Sequence, residues 1–163
     1  MKDFNYYMRM TRSYLEDYRS MKAQIDVWDS ERKNLLAELS SIPVAISKYG
    51  GEPGGGTGEL NAVERLANDR IEKESRVKEI ERDTKTLRSL MSKVENALSV
   101  LDGEAEKIVR EHYIDGIAWY GIADQLHLTE SCIRQRGHRA IRSIAQTVFG
   151  LKAHPDYQVV LIS

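Results

Sequence analysis

Ile122-Ala123-Asp124-Gln125-Leu126-His127-Leu128-Thr129-Glu130-Ser131-Cys132-Ile133-Arg134-Gln135 is the stretch whose reading decides the fold. Ile122, Ala123 and Leu126 recur on one face of a short helix, within the segment that opens at Ile117. A turn, His127-Leu128-Thr129, follows. Thr129 sits where an N-cap belongs, ahead of a second helix expected from Glu130 to Val148. That helix turns Ile133, Ala140, Ile141 and Ile144 inward and leaves Arg134, Gln135, Arg136, His138, Arg139 and Arg142 on its other faces. Ala123 is small enough for two short helices to cross closely, as a helix-turn-helix requires. Gly137 weakens the second helix by about 1 kcal/mol relative to alanine, and marks either a close approach or simple tolerance.

The same logic extends upstream. Asp102 is a good N-cap for a helix that buries Ile108, Val109 and Tyr113 and ends at Asp115-Gly116. Further back, alternating steps of four and three run through Tyr7, Thr11, Tyr14, Tyr18, Met21, Ile25, Trp28, Arg32, Leu35, Leu39 and Ile42, stopping at Pro43. A second seam takes in Val77, Ile80, Thr84, Leu87, Met91, Val94, Leu98 and Leu101, with Leu60, Val63, Leu66 and Ile71 upstream. Each helix would be about forty residues, near 60 Å at a rise of ~1.5 Å per residue. Neither can bury its stripe alone, so an antiparallel helical hairpin is expected, closed within one chain or between chains. The glycines from Gly50 to Gly58 read as its loop. A phosphate-binding loop is disfavoured there, because no lysine and Ser/Thr pair follows the last glycine and no strand precedes it.

The expected architecture is therefore all-α: a helical hairpin over 1–101 with a glycine-rich joint at 43–59, a helix-turn-helix domain over 102–150, and a tail over 151–163. Tyr157 to Ser163 is apolar for a terminus and is expected to dock on the body or on another subunit.

The run from Leu128 to Gln135, followed by Arg139-Ala140-Ile141-Arg142, resembles the promoter-reading region 4 of bacterial sigma factors. Glu106 to Leu126 is similar to the first helices of that region. The whole layout resembles the RinA- and ArpU-type transcriptional activators of Gram-positive phages and prophages, which end their sigma-like domain in a Phe-Gly such as Phe149-Gly150. The resemblance implies a regulator of double-stranded DNA. It places Glu130, Ser131 and Gln135 at base edges and Arg134 and Arg139 at phosphates or flanking bases. Thr129, His138 and Arg142 complete the candidate DNA-binding set. Primary sigma factors carry an arginine where Glu130 stands, so a different DNA sequence is expected.

Charge distribution agrees with that reading. The formal net charge of the chain is −1, but 102–126 carries six acids against two bases, whereas 127–152 carries one acid, Glu130, against five bases. The electrostatic footprint is local. With 7% aromatic residues and three prolines, the composition suits helices better than a large catalytic core. No nucleophile sits in an activating motif, so no enzyme is expected. Nor is a cofactor: His112, His127, His138 and His154 lack the i, i+4 spacing of a helical zinc site, and Cys132 has no cysteine partner. The single cysteine and the lack of a signal peptide or membrane span lead us to expect a cytoplasmic protein, and the phage resemblance implies that the cytoplasm is that of a bacterial host.

The expected function is activation of phage late genes by a dimer or tetramer. One rival is a reduced sigma-like factor bound to RNA polymerase through Glu104 to Tyr113. Another is a small-terminase-like packaging protein.

Overall fold

The computed structural model describes residues 3–42 and 57–155, excepting the side chains of 57–61 and 63. Most of the expected joint, 43–56, and most of the expected tail, 156–163, lie outside the described residues. Among the described residues all regular structure is helical: α1 Phe4–Glu16, α2 Tyr18–Ser41, α3 Thr57–Ser99, α4 Gly103–Val109, α5 Trp119–Leu126 and α6 Glu130–Phe149. A π turn, Arg110–Ile114, extends α4, and a 3-10 turn, Gly150–Ala153, follows α6. Thr57, Gly58 and Glu59, expected in the joint, form the first turn of α3. The helix-forming residues after Gly58 carry the helix through a single glycine at a cost of ~1 kcal/mol. No helix among the described residues is long and apolar enough to cross a membrane.

The chain divides into two compact units, one of residues 1–22 with 88–163 and the other of residues 23–87. The second holds most of α2 and the first three-quarters of α3. Its buried positions are Ile25, Val77, Ile80 and Thr84, all members of the expected seams. Trp28, Leu35 and Leu39 on the α2 stripe are half-buried. Arg76 grips Glu31 with two bonds of 2.7 and 3.1 Å, and Lys73 meets Glu38 at 3.0 Å. Residue numbers rise on α2 as they fall on α3, as in antiparallel helices. Ile71 and Leu66 are exposed instead of joining the seam. Ile71 lies six residues from Val77, out of step with the stripe, and the stripe positions between Leu66 and Val77 are Arg70 and Lys73, whose charged ends stay in water.

The first unit contains the elements that position the candidate site. The expected hairpin-like seam through Tyr7, Thr11 and Tyr14 is displaced here. The fully turned-in residues of α1 are Met8, Thr11 and Leu15, while Tyr7 and Tyr14 pack at the margin of the core against Phe149. The reason is the partner. α1 packs on α6, the π turn and the 3-10 turn, which together bury a broader face than one narrow stripe. The Thr11 hydroxyl donates to the Tyr7 carbonyl at 2.9 Å, which satisfies it in the core. The helix expected to run unbroken from Tyr7 to Ile42 is interrupted at Asp17, although the Asp17 and Met21 amides still donate to the Ser13 and Asp17 carbonyls. The unit that contains α4–α6 thus also includes α1 and the end of α3, a wider span than 102–150.

Two apolar clusters fill this unit. One joins Met8 and Leu15 of α1, Val94, Ala97 and Leu98 of α3, and Ile141, Ile144 and Ala145 of α6. The other joins Ile108, Ile122, Ala123 and Ile133, and Trp119 packs against both. At the periphery Arg110 donates to Glu95 at 2.8 Å, and the Tyr18 hydroxyl donates to the same carboxylate.

Thr84 is buried and its hydroxyl has no partner among the described residues, so Thr84→Val should stabilise the chain by about 1 kcal/mol, read as a higher urea midpoint. The Arg110 hydrogen bond, with help from Tyr18, holds the Glu95 carboxyl below its ordinary 4.5. A depressed carboxyl contributes stability that is present above the unfolded pKa and lost as pH falls through the folded one. The urea midpoint should therefore drop on acidification below about pH 4.5, and Glu95→Gln should flatten that slope.

Candidate nucleic-acid interface

α5 ends where His127 takes a left-handed conformation, φ 52°, and the Leu128 amide donates back to the Ala123 carbonyl at 3.0 Å. This closes the last turn of α5 and redirects the chain within two residues. Thr129 then starts α6: its side-chain oxygen accepts from the Cys132 amide at 3.3 Å. Of the predicted site residues, Thr129 is thus engaged in capping. Asp102 caps α4 in the same way, accepting from the Ala105 amide at 2.8 Å.

The Trp119 indole packs where α4, α5 and α6 meet, beside the cluster of Ile108, Ile122, Ala123 and Ile133. It stacks on the His112 ring, with centroids 3.5 Å apart, and meets Tyr113 edge-on. His112 is itself fixed, its Nδ1 2.8 Å from the Ile117 carbonyl oxygen. The indole also lies against Gly137. A Cβ built on that glycine would stand 2.7 and 3.0 Å from two indole carbons and 3.6 Å from Ile108. The structure thereby decides between the two readings of Gly137: it marks a close approach, and the helix tolerates the glycine because the aromatic ring needs its space.

With Ile133, Gly137, Ala140, Ile141 and Ile144 turned inward, the opposite side of α6 is exposed among the described residues. Ser131, Gln135, His138 and Arg142 follow i, i+4, i+7 and i+11, so they form one stripe, and all are exposed. Arg134 borders it on one edge and Arg139 on the other. These side chains are not equally available. Arg134 is bonded through Nε to Glu130 at 2.8 Å, so the predicted Glu130 and Arg134 form one neutralised pair. Arg136 pairs with Glu104 on α4, which holds its guanidinium in the charged form and gives it a bracing role. Arg139 makes one long contact, 3.5 Å, to the Gln135 carbonyl. Arg142 lies 5.5 Å above the Phe4 ring, and His138 Nδ1 is 3.3 Å from the Arg12 guanidinium. Phe4 and Arg12 belong to α1, and sequence reasoning missed both. They are separated from their partners by more than a hundred residues, and no local pattern signals such a pairing. The signal for Trp119 was present in the mid-helix glycine.

Among the described residues no group of His, Cys, Asp or Glu is placed to hold a metal ion. Beside Arg139, a depression of about 500 Å³ lies between α6 and the joint of α3 with α4, lined by Leu101, Ala105 and Ala140 among others. No family model, curated protein or solved structure matches the chain.

Gly137→Ala gains ~1 kcal/mol of helix propensity but drives a methyl into an indole that His112 and Tyr113 hold in place, an overpacking cost of ~1–3 kcal/mol. The expected outcome is net loss of stability in urea denaturation. Trp119→Phe in the same chain should relieve part of it, giving a double-mutant cycle with favourable coupling.

Proposed function

We propose that this chain is a sequence-specific regulator of transcription that binds double-stranded DNA through α6. In this reading α5, the His127–Thr129 turn and α6 form a helix-turn-helix, with α6 lying in the major groove. The observation that carries it is the exposed stripe of Ser131, Gln135, His138 and Arg142 between Arg134 and Arg139, on a helix whose opposite face is buried. Side chains near the start of such a helix reach base edges, and cations farther along reach phosphates. Ser131 and Gln135 stand in the first two turns, where Gln135 can make two bonds to an adenine. Glu130 can accept from a cytosine amino group only if Arg134 moves its charge to a phosphate, so the pair would exchange partners on binding.

The sigma region-4 resemblance and the RinA- and ArpU-type layout support a phage activator acting in the bacterial cytoplasm. The antiparallel seams of α2 and α3 would then form the coiled-coil hairpin that joins copies into a dimer or tetramer. A polymerase-docked sigma-like factor is less well supported. Over Glu104 to Tyr113, Ile108, Val109 and Tyr113 are buried, and Glu104 and Glu106 are paired with Arg136 and Arg110.

Titration of fluorescent duplexes tests the reading. Gln135→Ala should cost ~1–3 kcal/mol at a single base position of the preferred site and leave binding to random duplex unchanged. Arg139→Ala should weaken both alike and lower the salt slope by about 1. Equal effects of the two substitutions on preferred and random DNA would sink the base-reading role of α6.

A further inference from the structure

Eight of the nine arginines of the first unit fall into two groups. Arg19, Arg110, Arg134 and Arg136 are each paired with a carboxylate. Arg9, Arg12, Arg139 and Arg142 make no ion pair with a described residue. Two of the latter, Arg139 and Arg142, belong to α6, and the other two come from α1.

The position of α1 gives this grouping its meaning. Phe4 lies beneath the Arg142 guanidinium and Arg12 lies beside His138, so α1 runs along the edge of the α6 stripe. Arg12 is half-buried: its Nε is enclosed without a hydrogen-bond partner, and its Nη2 faces His138. It also lies close to the buried Tyr113 hydroxyl, whose ionisation burial opposes. Arg9 is one turn back on the same side of α1 and is exposed. Glu16, one turn beyond Arg12, closes the cationic stretch. A guanidinium that no carboxylate neutralises keeps a positive charge at this edge of α6, which suits an anion arriving from outside. A free cation one turn away adds to the same local charge.

We propose that α1 is a second element of the DNA surface, in which Arg9 and Arg12 hold the phosphate backbone flanking the groove that α6 enters. This rests on the DNA-binding reading above and extends it from one helix to two. Arg12 also positions His138, and Phe4 positions Arg142, so α1 sets two of the side chains that α6 presents. Contacts of this kind fix register and add affinity without reading sequence.

The test uses the full chain with a preferred and a random duplex, over a series of salt concentrations, for wild type, Arg9→Ala, Arg12→Ala and a control whose guanidinium is paired with a carboxylate, Arg19→Ala. One phosphate contact corresponds to a salt slope of about 0.9, or roughly a five-fold affinity change near 0.15 M salt. Arg9→Ala should lose about that factor on both duplexes with a correspondingly shallower slope, while the control keeps wild-type values. Arg9 is exposed, so its variant reports on binding even if Arg12→Ala, checked by circular dichroism, loses helix. Wild-type affinity and slope for Arg9→Ala overturn the proposal. If Gln135→Ala still relaxes one base position in that case, the α6 reading stands without α1. A wild-type chain that binds neither duplex overturns both.

Discussion

The contact of the Trp119 indole with the backbone of Gly137 is the constraint on which the rest of the first unit depends. The ring is held by His112 and Tyr113 on the π turn and touches both apolar clusters, so a single side chain fixes α4, α5 and α6 at once. A Cβ at position 137 would not fit. α6 surrenders about 1 kcal/mol of helix propensity at that glycine and in return is set at a defined depth against its neighbours. Its outward stripe then has a fixed orientation, and recognition by a rigid helix demands just that.

Electrostatics sorts the remaining side chains. Arg136 and Arg110 are tied to glutamates of α4 and α3 and act as braces. The Glu130–Arg134 pair keeps the start of α6 near neutrality, and the charge left over collects where α1 meets α6. A chain with a net charge of −1 can in this way leave unneutralised cations on one edge, because some of its acids neutralise the bases that brace the fold. Exposed pairs of this kind contribute little stability one by one. Their effect here is to decide which arginines stay available.

Much of the architecture was legible in the sequence, for reasons that differ by element. Asp102 and Thr129 announced their helices because capping is local chemistry. Ile133, Ala140, Ile141 and Ile144 were read as inward because a helix with one buried face leaves a periodic trace. The seam through Val77, Ile80 and Thr84 was legible for the same reason. α1 was harder: its periodicity indicated a helix but not which neighbour it packs on, and the buried face moved from Tyr7 and Tyr14 to Met8 and Leu15 once α6 proved to be that neighbour. The candidate site shows the same division. The α6 residues were found from their spacing after the turn, whereas Arg12 beside His138 and Phe4 beneath Arg142 depend on tertiary contacts between the two ends of the chain.

The central claim is that the outward stripe of α6 reads the sequence of duplex DNA. It is tested most directly by incubating the chain with a pool of random duplexes, recovering those bound and sequencing them over successive rounds. The account predicts convergence on one motif. A pool that is retained yet stays random in sequence, or is not retained at all, would contradict it.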